Sequence, residues 1–414
     1  MAALVDDLSQ ARMTLETARS GLLAETYRDM AAVEALWRGI ESDPGVLGTP
    51  YQRFDWVSAF LAGAFAGDDG RQREALRIIV LRDAAGPVRL ILPVICRRER
   101  GTMVARVVGG SHANFHMPLF ASREAAALRG EDVVEALRKA GADAGIDAFV
   151  LGYQPRFWDG AANPLAARSE PAASDAYGLS LGPDAEATIR RIFSADARKK
   201  LRVKEKKLVE AVGPVAFRVA STPDEVSAFL EAFYRQKATR FAALGIVDPY
   251  GSQSVRRFLA QGIDAQGIAS VSAGRAIEIC ALVGERDGRV YATFAGAVDA
   301  VRYSGMMTSF DQDPALARFS PGEILLRHLV GYQAGQGRRG FDLGVGEARY
   351  KASICDETIE LREVSIPVSA RGWAVTAHAV AWGRIKRRIK RNPRLMRLLR
   401  PLRRKVSGVL SDPS

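Results

Sequence analysis

Only three cysteines and four histidines occur in 414 residues. Cys96, Cys280 and Cys355 lie far apart with no ligand-type spacing, which excludes a disulfide framework and fits a reducing compartment. Cys280 sits in the apolar run AIEICALVG and reads as core. Cys355 is the one cysteine open to a nucleophilic role. His112 and His116 stand four apart in GGSHANFHMPLF, but neither a Cys nor a carboxylate accompanies them, so no metal is expected. No window approaches the roughly 18 apolar residues of a membrane span. A Gly-x-Ser-x-Gly elbow is missing, which argues against a serine hydrolase. No Gly-rich dinucleotide turn follows a strand. Residues 1–20 contain acids and no apolar stretch, and read as a mobile N-terminus, not a signal peptide. The expected location is the cytoplasm.

The net charge is +12, which suggests nucleic acid until its position is read. Residues 384–405 hold twelve Lys or Arg and no acid, and the rest of the chain is near neutral. Apolar Leu395, Leu398, Leu399, Leu402 and Val406 recur at helical spacing between the arginines. Such a basic amphipathic tail fits an anionic membrane surface, reached through residues 384–410 on the inner face. RNA is the rival partner, and ranks lower because Trp382 is the only aromatic residue there. A merely solvated tail is the third reading.

The length calls for two domains. Alternating apolar patterns predict strands at 76–81, 88–97 and 148–153 in the first half, and at 276–285 and 289–297 in the second. The Asp-Gly turn in RDGR links the last two. Helical patterns fall at 29–40, 51–65 and 131–140, then at 223–240 and 322–335. This recurrence predicts two related lobes, 21–183 and 214–370, joined by charged interlobe helices over 184–213 and followed by a tail at 371–414. Within those helices Arg198, Lys199, Lys200 and Arg202 either line an anion site or form a solvated face.

The stretch FSPGEILLRHLVGYQAGQGRRGFDLGVGEARYK, 319–351, carries the chemistry. A Ser320-Pro321-Gly322 turn opening a helix leaves backbone N–H groups free for an anion. His328 falls on that helix's inward side and reads as a core histidine. Asp342 lies among Phe341, Leu343 and Val345, where desolvation raises a carboxyl pKa. It is either a base or a partner of Arg338 or Arg339. Glu347 is a rival base, and Lys351 is either functional or an exposed turn lysine. Lys237 and Arg240 share a helix face and could grip an anionic acceptor. Asn114 and His116 are candidates to line the acceptor pocket.

These motifs resemble the GNAT acyltransferases, and more closely the cellulose-biosynthesis-type (CelD-like) acetyltransferases with tandem GNAT-like lobes, similar in layout to Fem-type transferases. The matching text is TPYQRFDWVSAF, RKKLRVKEKKL, FYRQKATRF, VYATFAGAVDA, FSPGEILLRHL and FDLGVGEARYK. The resemblance implies an α/β (α+β) fold of two tandem GNAT-like lobes, each a mixed, mostly antiparallel sheet flanked by helices. It implies acetyl-CoA or another acyl-CoA as co-substrate, with no metal. The pantetheine arm would pair with a splayed strand at 290–297, around Phe294, Ala295 and Gly296. The pyrophosphate would meet Ser320, Pro321 and Gly322. Asp342, Glu347, Tyr350 and Lys351 would serve the reaction, with Tyr350 protonating the leaving thiolate and Lys351 offsetting negative charge.

The sequence departs from the usual GNAT phosphate loop, Gln/Arg-x-x-Gly-x-Gly/Ala. It reads ALARFSPGE, with one Gly. That leaves two alternatives beside an acyltransferase acting on a sugar or envelope precursor. One is a Fem-like transferase using aminoacyl-tRNA; the other is a non-catalytic partner of a membrane polysaccharide synthase.

Overall fold

The computed structural model describes residues 21–84, 86–263 and 275–392. Residues 1–20, the strand expected at 269–272, and the tail beyond Asn392 lie outside the described residues.

The first half opens with β1 (Leu22–Tyr27), α1 (Glu34–Glu41), α2 (Phe54–Phe65) and α3 (Asp69–Ala75). Then come β2 (Leu76–Asp83), β3 (Val88–Glu99) and β4 (Thr102–Val107). The short β5 (Leu119–Phe120), α4 (Arg123–Ala126), α5 (Gly130–Asp143) and β6 (Ala148–Pro155) follow. Three two-residue strands, β7 (Phe157–Trp158), β8 (Ala161–Ala162) and β9 (Glu170–Pro171), lead to β10 (Ala176–Ser180).

The second half begins with α6 (Ala185–Ile192), α7 (Ala195–Val212), β11 (Val215–Val219), α8 (Pro223–Leu244) and α9 (Gln253–Ile263). Three antiparallel strands come next, β12 (Ile277–Gly284), β13 (Val290–Val298) and β14 (Arg302–Phe310). The chain closes with α10 (Pro314–Ala317), α11 (Pro321–Gly335), β15 (Gly340–Val345), α12 (Arg349–Ile354), β16 (Glu357–Ile359), β17 (Leu361–Pro367) and α13 (Ala370–Arg391).

The result is two mixed sheets with helices packed against them. One runs β1-β2-β3-β4-β6-β17-β9, the other β11-β12-β13-β14-β15-β10-β16. The halves exchange strands. β10, inside the expected first lobe, lies between β15 and β16, and β17, inside the expected second lobe, lies between β6 and β9. The boundaries 21–183 and 214–370 are corrected accordingly: each sheet is completed by a strand from the other half. Short strands with little apolar pattern carry no local cue to which sheet they join.

The helices expected between the lobes belong to the second one. α6 and α7 pack on α11. Ile192, Leu201 and Leu208 are buried in one cluster with Leu326, Leu329 and Val330. The thin apolar stripe of α7 is enough to seat one face, and its many charges occupy the rest. His328 is half-buried rather than core, and meets Glu205 of α7 at 2.6 Å.

Candidate active site

In each sheet two parallel strands pair briefly and then part. β14 and β15 pair only at Arg302–Gly340, Tyr303–Phe341 and Ser304–Asp342. β4 and β6 pair only at Val104–Ala148, Ala105–Phe149 and Arg106–Val150. Just past the first junction β14 carries a bulge. Ala295 faces Met307 and Gly296 faces Gly305, so Met306 is an extra residue. A bulge bends its strand and re-aims nearby groups, and commonly marks a site.

The splayed strand is therefore β14, not the 290–297 segment expected from the sequence. β13 is hydrogen-bonded to β12 on one side and β14 on the other, so Phe294, Ala295 and Gly296 have no open edge. The sequence pattern hid β14 because the preceding turn has no Gly. Asp299 makes that turn itself, accepting from the N–H groups of Val301 (2.7 Å) and Arg302 (2.6 Å).

β14 leads into α10 and then the N-terminus of α11. Ser320 there has a left-handed backbone (φ 53°), and Pro321 takes the first helical position. Lys204 of α7 reaches across to Ser320 Oγ (2.8 Å) and Glu323 Oε2 (2.7 Å). The helix start thus combines a dipole, a glycine at position 322 and a lysine. Lys204 was not singled out by sequence, although its motif, RKKLRVKEKKL, was.

Asp342 sits at the junction and is fully buried. It meets neither Arg338 nor Arg339; Arg338 pairs with Glu278 instead. One carboxylate oxygen accepts from Ser304 Oγ, and the other lies 3.2 Å from Asn114 Nδ2. Burial pushes its pKa up to about 7, against the pull of Arg302 and the hydrogen bonds from Ser304 and Asn114. Both oxygens are engaged, and the carboxylate ties β14, β15 and the Asn114 loop together.

The first half supplies the other side of that junction. Asn114 Nδ2 is also 2.7 Å from Gly305 O and 2.8 Å from the Tyr51 hydroxyl. Tyr51 reaches Ser304 O at 3.5 Å. Its backbone is fixed by a capping box between Thr49 and Gln52, a T-P-Y-Q signal that could have been read from the sequence. The same loop closes its own sheet's gap. Ala113, Phe115, His116 and Met117 are buried, and the His116 N–H donates to Tyr153 O of β6 at 3.0 Å. The imidazole of His116, expected to line an acceptor pocket, is buried, and burial lowers its pKa to about 4. Its Nε2 finds no partner among the described residues.

The remaining residues form the rim. Lys351 is buried, and its ammonium lies 2.9 Å from Gly344 O, 3.4 Å from Val345 O and 3.0 Å from Gly346 O. It fastens the turn that presents Glu347, which is exposed. Tyr350 is 45% exposed, and its pKa is raised by the burial of the rest of the ring. A hollow of about 440 Å3 lies between Tyr177, Glu347 and Lys351. At the far end of β14, Arg240 lies over Phe310 at 5.6 Å. Lys237 lies 5.4 to 5.8 Å from the rings of Phe233, Phe241 and Tyr250. Burial, reinforced by Arg240, lowers the Lys237 pKa to about 8. Tyr250 in turn touches His112, so the first-half loop stands beside α8. Burial pushes the Cys355 thiol up to about 11, so little thiolate is present at neutral pH. No cluster of metal-ligating side chains occurs among the described residues.

A sequence model described as acetyltransferase (GNAT) domain matches residues 195–352. This stretch runs from α7 through β14, the α11 N-terminus and β15 to Lys351. Residues 195–352 are a GNAT acyltransferase domain. The splay, the bulge and the helix start just described all lie within it. The crystal structure of FemX shares its fold with nearly the whole chain, at a TM-score of 0.55 and 8% identity, covering 85% of this chain and 99% of that one. A conserved protein of unknown function from Bacteroides thetaiotaomicron aligns at a TM-score of 0.48 and 11% identity, covering 82% and 97%. A tandem GNAT protein from the clavulanic acid biosynthesis pathway aligns at 0.34 and 12%, covering 78% and 98%. No curated protein sequence matches the chain. The GNAT domain is thus flanked by a half whose own β4–β6 gap is filled.

Proposed function

We propose that the chain transfers an acyl group, acetyl in the simplest case, from acyl-CoA held in the GNAT domain to an amine or hydroxyl of an acceptor. The observation that carries this reading is the open edge of β14 leading through α10 to the N-terminus of α11. An amide-bearing arm can pair with the free edge of a strand as a peptide does. A pyrophosphate then falls at the first turn of α11, near Gly322 and Lys204.

The acceptor attacks directly, and no enzyme-bound intermediate is needed. Backbone N–H groups at the Met306 bulge stabilise the tetrahedral oxyanion. Glu347, exposed on the turn that Lys351 fastens, takes the acceptor's proton. Tyr350, protonated at neutral pH, returns a proton to the leaving thiolate. Lys237 and Arg240 hold an anionic part of the acceptor, such as a sugar phosphate of an envelope precursor.

One observation favours a second reading. α7 exposes Lys199, Lys200, Arg202, Lys206 and Lys207, a basic row suited to a nucleic-acid donor such as aminoacyl-tRNA. Calorimetry separates the two. Acetyl-CoA should bind wild-type protein saturably, and Gly322→Asp should weaken it about tenfold. That variant folds normally, since the added Cβ meets Phe310 at an ordinary 3.7 Å and an acid suits a helix start. No heat at millimolar acetyl-CoA, with tRNA raising the melting temperature instead, would replace the first reading by the second.

A further inference from the structure

α13 is a surface helix that exposes part of its apolar set: Val375, Ala379, Val380 and Ile389 are half-buried, while others face outward. Its inner side is clamped to the β4–β6–β17 sheet. Gly372 and Thr376 are buried, and a Cβ on Gly372 would sit 1.7 Å from Asp147 O. Ser369 caps the helix through the Gly372 N–H (3.2 Å) and is itself tied to Asp147 (2.5 Å). Further along, Arg384 pairs with Glu170 at 2.6 Å. The helix therefore cannot roll to hide its other face.

That other face holds Ala374, Ala377, Ala381 and Ile385 at helical spacing, all exposed. Trp373 is 65% exposed, Trp382 47% and Ile385 46%. On the helical wheel Arg384 borders this stripe on one side, Arg388 falls within its last turn, and His378 and Arg371 separate it from Trp382 and Lys386 on the other. Lys386 lies 5.5 Å over the Trp382 ring.

We propose that this face of α13 seats the protein on an anionic lipid bilayer. Tryptophan rings suit the headgroup boundary, and flanking arginines and lysines reach phosphates while their stems lie along the apolar stripe. The charge runs on in the same sense, with no acid between residues 384 and 405. No helix among the described residues is long and apolar enough to cross a membrane, so the helix lies on the bilayer. An RNA partner would leave the outward alanines and Ile385 without a role, and a second copy of the chain would bring two like-charged borders together.

The test is co-sedimentation of the full chain with vesicles of phosphatidylcholine, with and without phosphatidylglycerol, beside the variants Trp382→Ala/Ile385→Glu and Trp373→Ala. Wild-type protein should pellet only with phosphatidylglycerol and be released by salt. The double variant should bind at least tenfold more weakly with an unchanged melting temperature, and lipid should blue-shift the tryptophan emission of wild type. Equal binding by wild type and the double variant overturns the proposal. So does a dimer by light scattering that the double variant abolishes while wild type ignores both vesicles.

Discussion

The side-chain amide of Asn114 lies 3.2 Å from the carboxylate of Asp342, across 228 residues of chain. The contact joins the two halves at the point where β14 and β15 part. The loop that fills the gap in the first sheet thereby closes the floor of the gap in the second.

Asn114→Ala should loosen that floor. It leaves Gly305 O, Asp342 and the Tyr51 hydroxyl without their shared donor in a buried place. The expected loss is about 1–3 kcal/mol in urea unfolding. An unchanged midpoint would mean that water replaces the amide freely.

Gly344 is the tight point beneath it. Its φ is +77°, and a Cβ would lie 2.5 Å from Asn114 Oδ1. Gly344→Ala should therefore cost more than about 1 kcal/mol, because both backbone and neighbour object. Gly335→Ala, with open space around it, should be neutral or stabilise by up to about 1 kcal/mol. Denaturant midpoints moving the same way in both variants would contradict this geometry.

Asp342 sets a pH dependence whose sign is fixed. Its folded pKa, about 7, stands above the ordinary carboxyl value of 3.8. Between about pH 4 and 7 the folded chain keeps a proton that the unfolded chain has lost, so stability falls as pH rises through that window and levels off above it. Asp342→Asn mimics the protonated form and should gain on wild type in melting temperature from pH 4 to 7. His116 acts oppositely. Its pKa, lowered to about 4, costs stability as pH falls below about 6.5, and that loss should persist in Asp342→Asn. A constant difference between wild type and Asp342→Asn across this range would show that Asp342 is ionised throughout.

Lys351→Met should unfasten the turn carrying Glu347. Three carbonyls lose their donor, which should cost about 1–3 kcal/mol and raise amide exchange over 344–348. Exchange unchanged in that turn would mean that the lysine is dispensable there.

Alkylation probes the cysteines. All three are free, Cys96 and Cys280 are buried, and Cys355 has its pKa raised to about 11. Iodoacetamide at pH 8 should modify the native protein slowly and the unfolded protein at all three sites. Rapid native labelling of Cys355 would restore it as a candidate nucleophile.

Much of the site was legible one strand at a time. Asp342 announced its burial because Phe341 and Leu343 flank it, and the Pro321-Gly322 helix start was visible as a turn. Its partners were not, because Tyr51, Asn114 and Ser304 arrive from other elements and no local pattern encodes their meeting. β14 was missed because R-Y-S-G-M-M-T-S-F mixes polar and apolar residues around a bulge, which breaks the period-two signal. The exchange of β10 and β17 was equally hidden, since strand partners are chosen by packing at long range.

The central claim is that the GNAT domain alone holds the donor, along the free edge of β14. Hydrogen exchange with saturating acetyl-CoA tests it most directly. The account predicts slowed exchange at residues 305–310 and 320–324, with residues 104–108 of β4 and its following turn unchanged. Protection at 104–108, or none at 305–310 while acetyl-CoA binds, would contradict it.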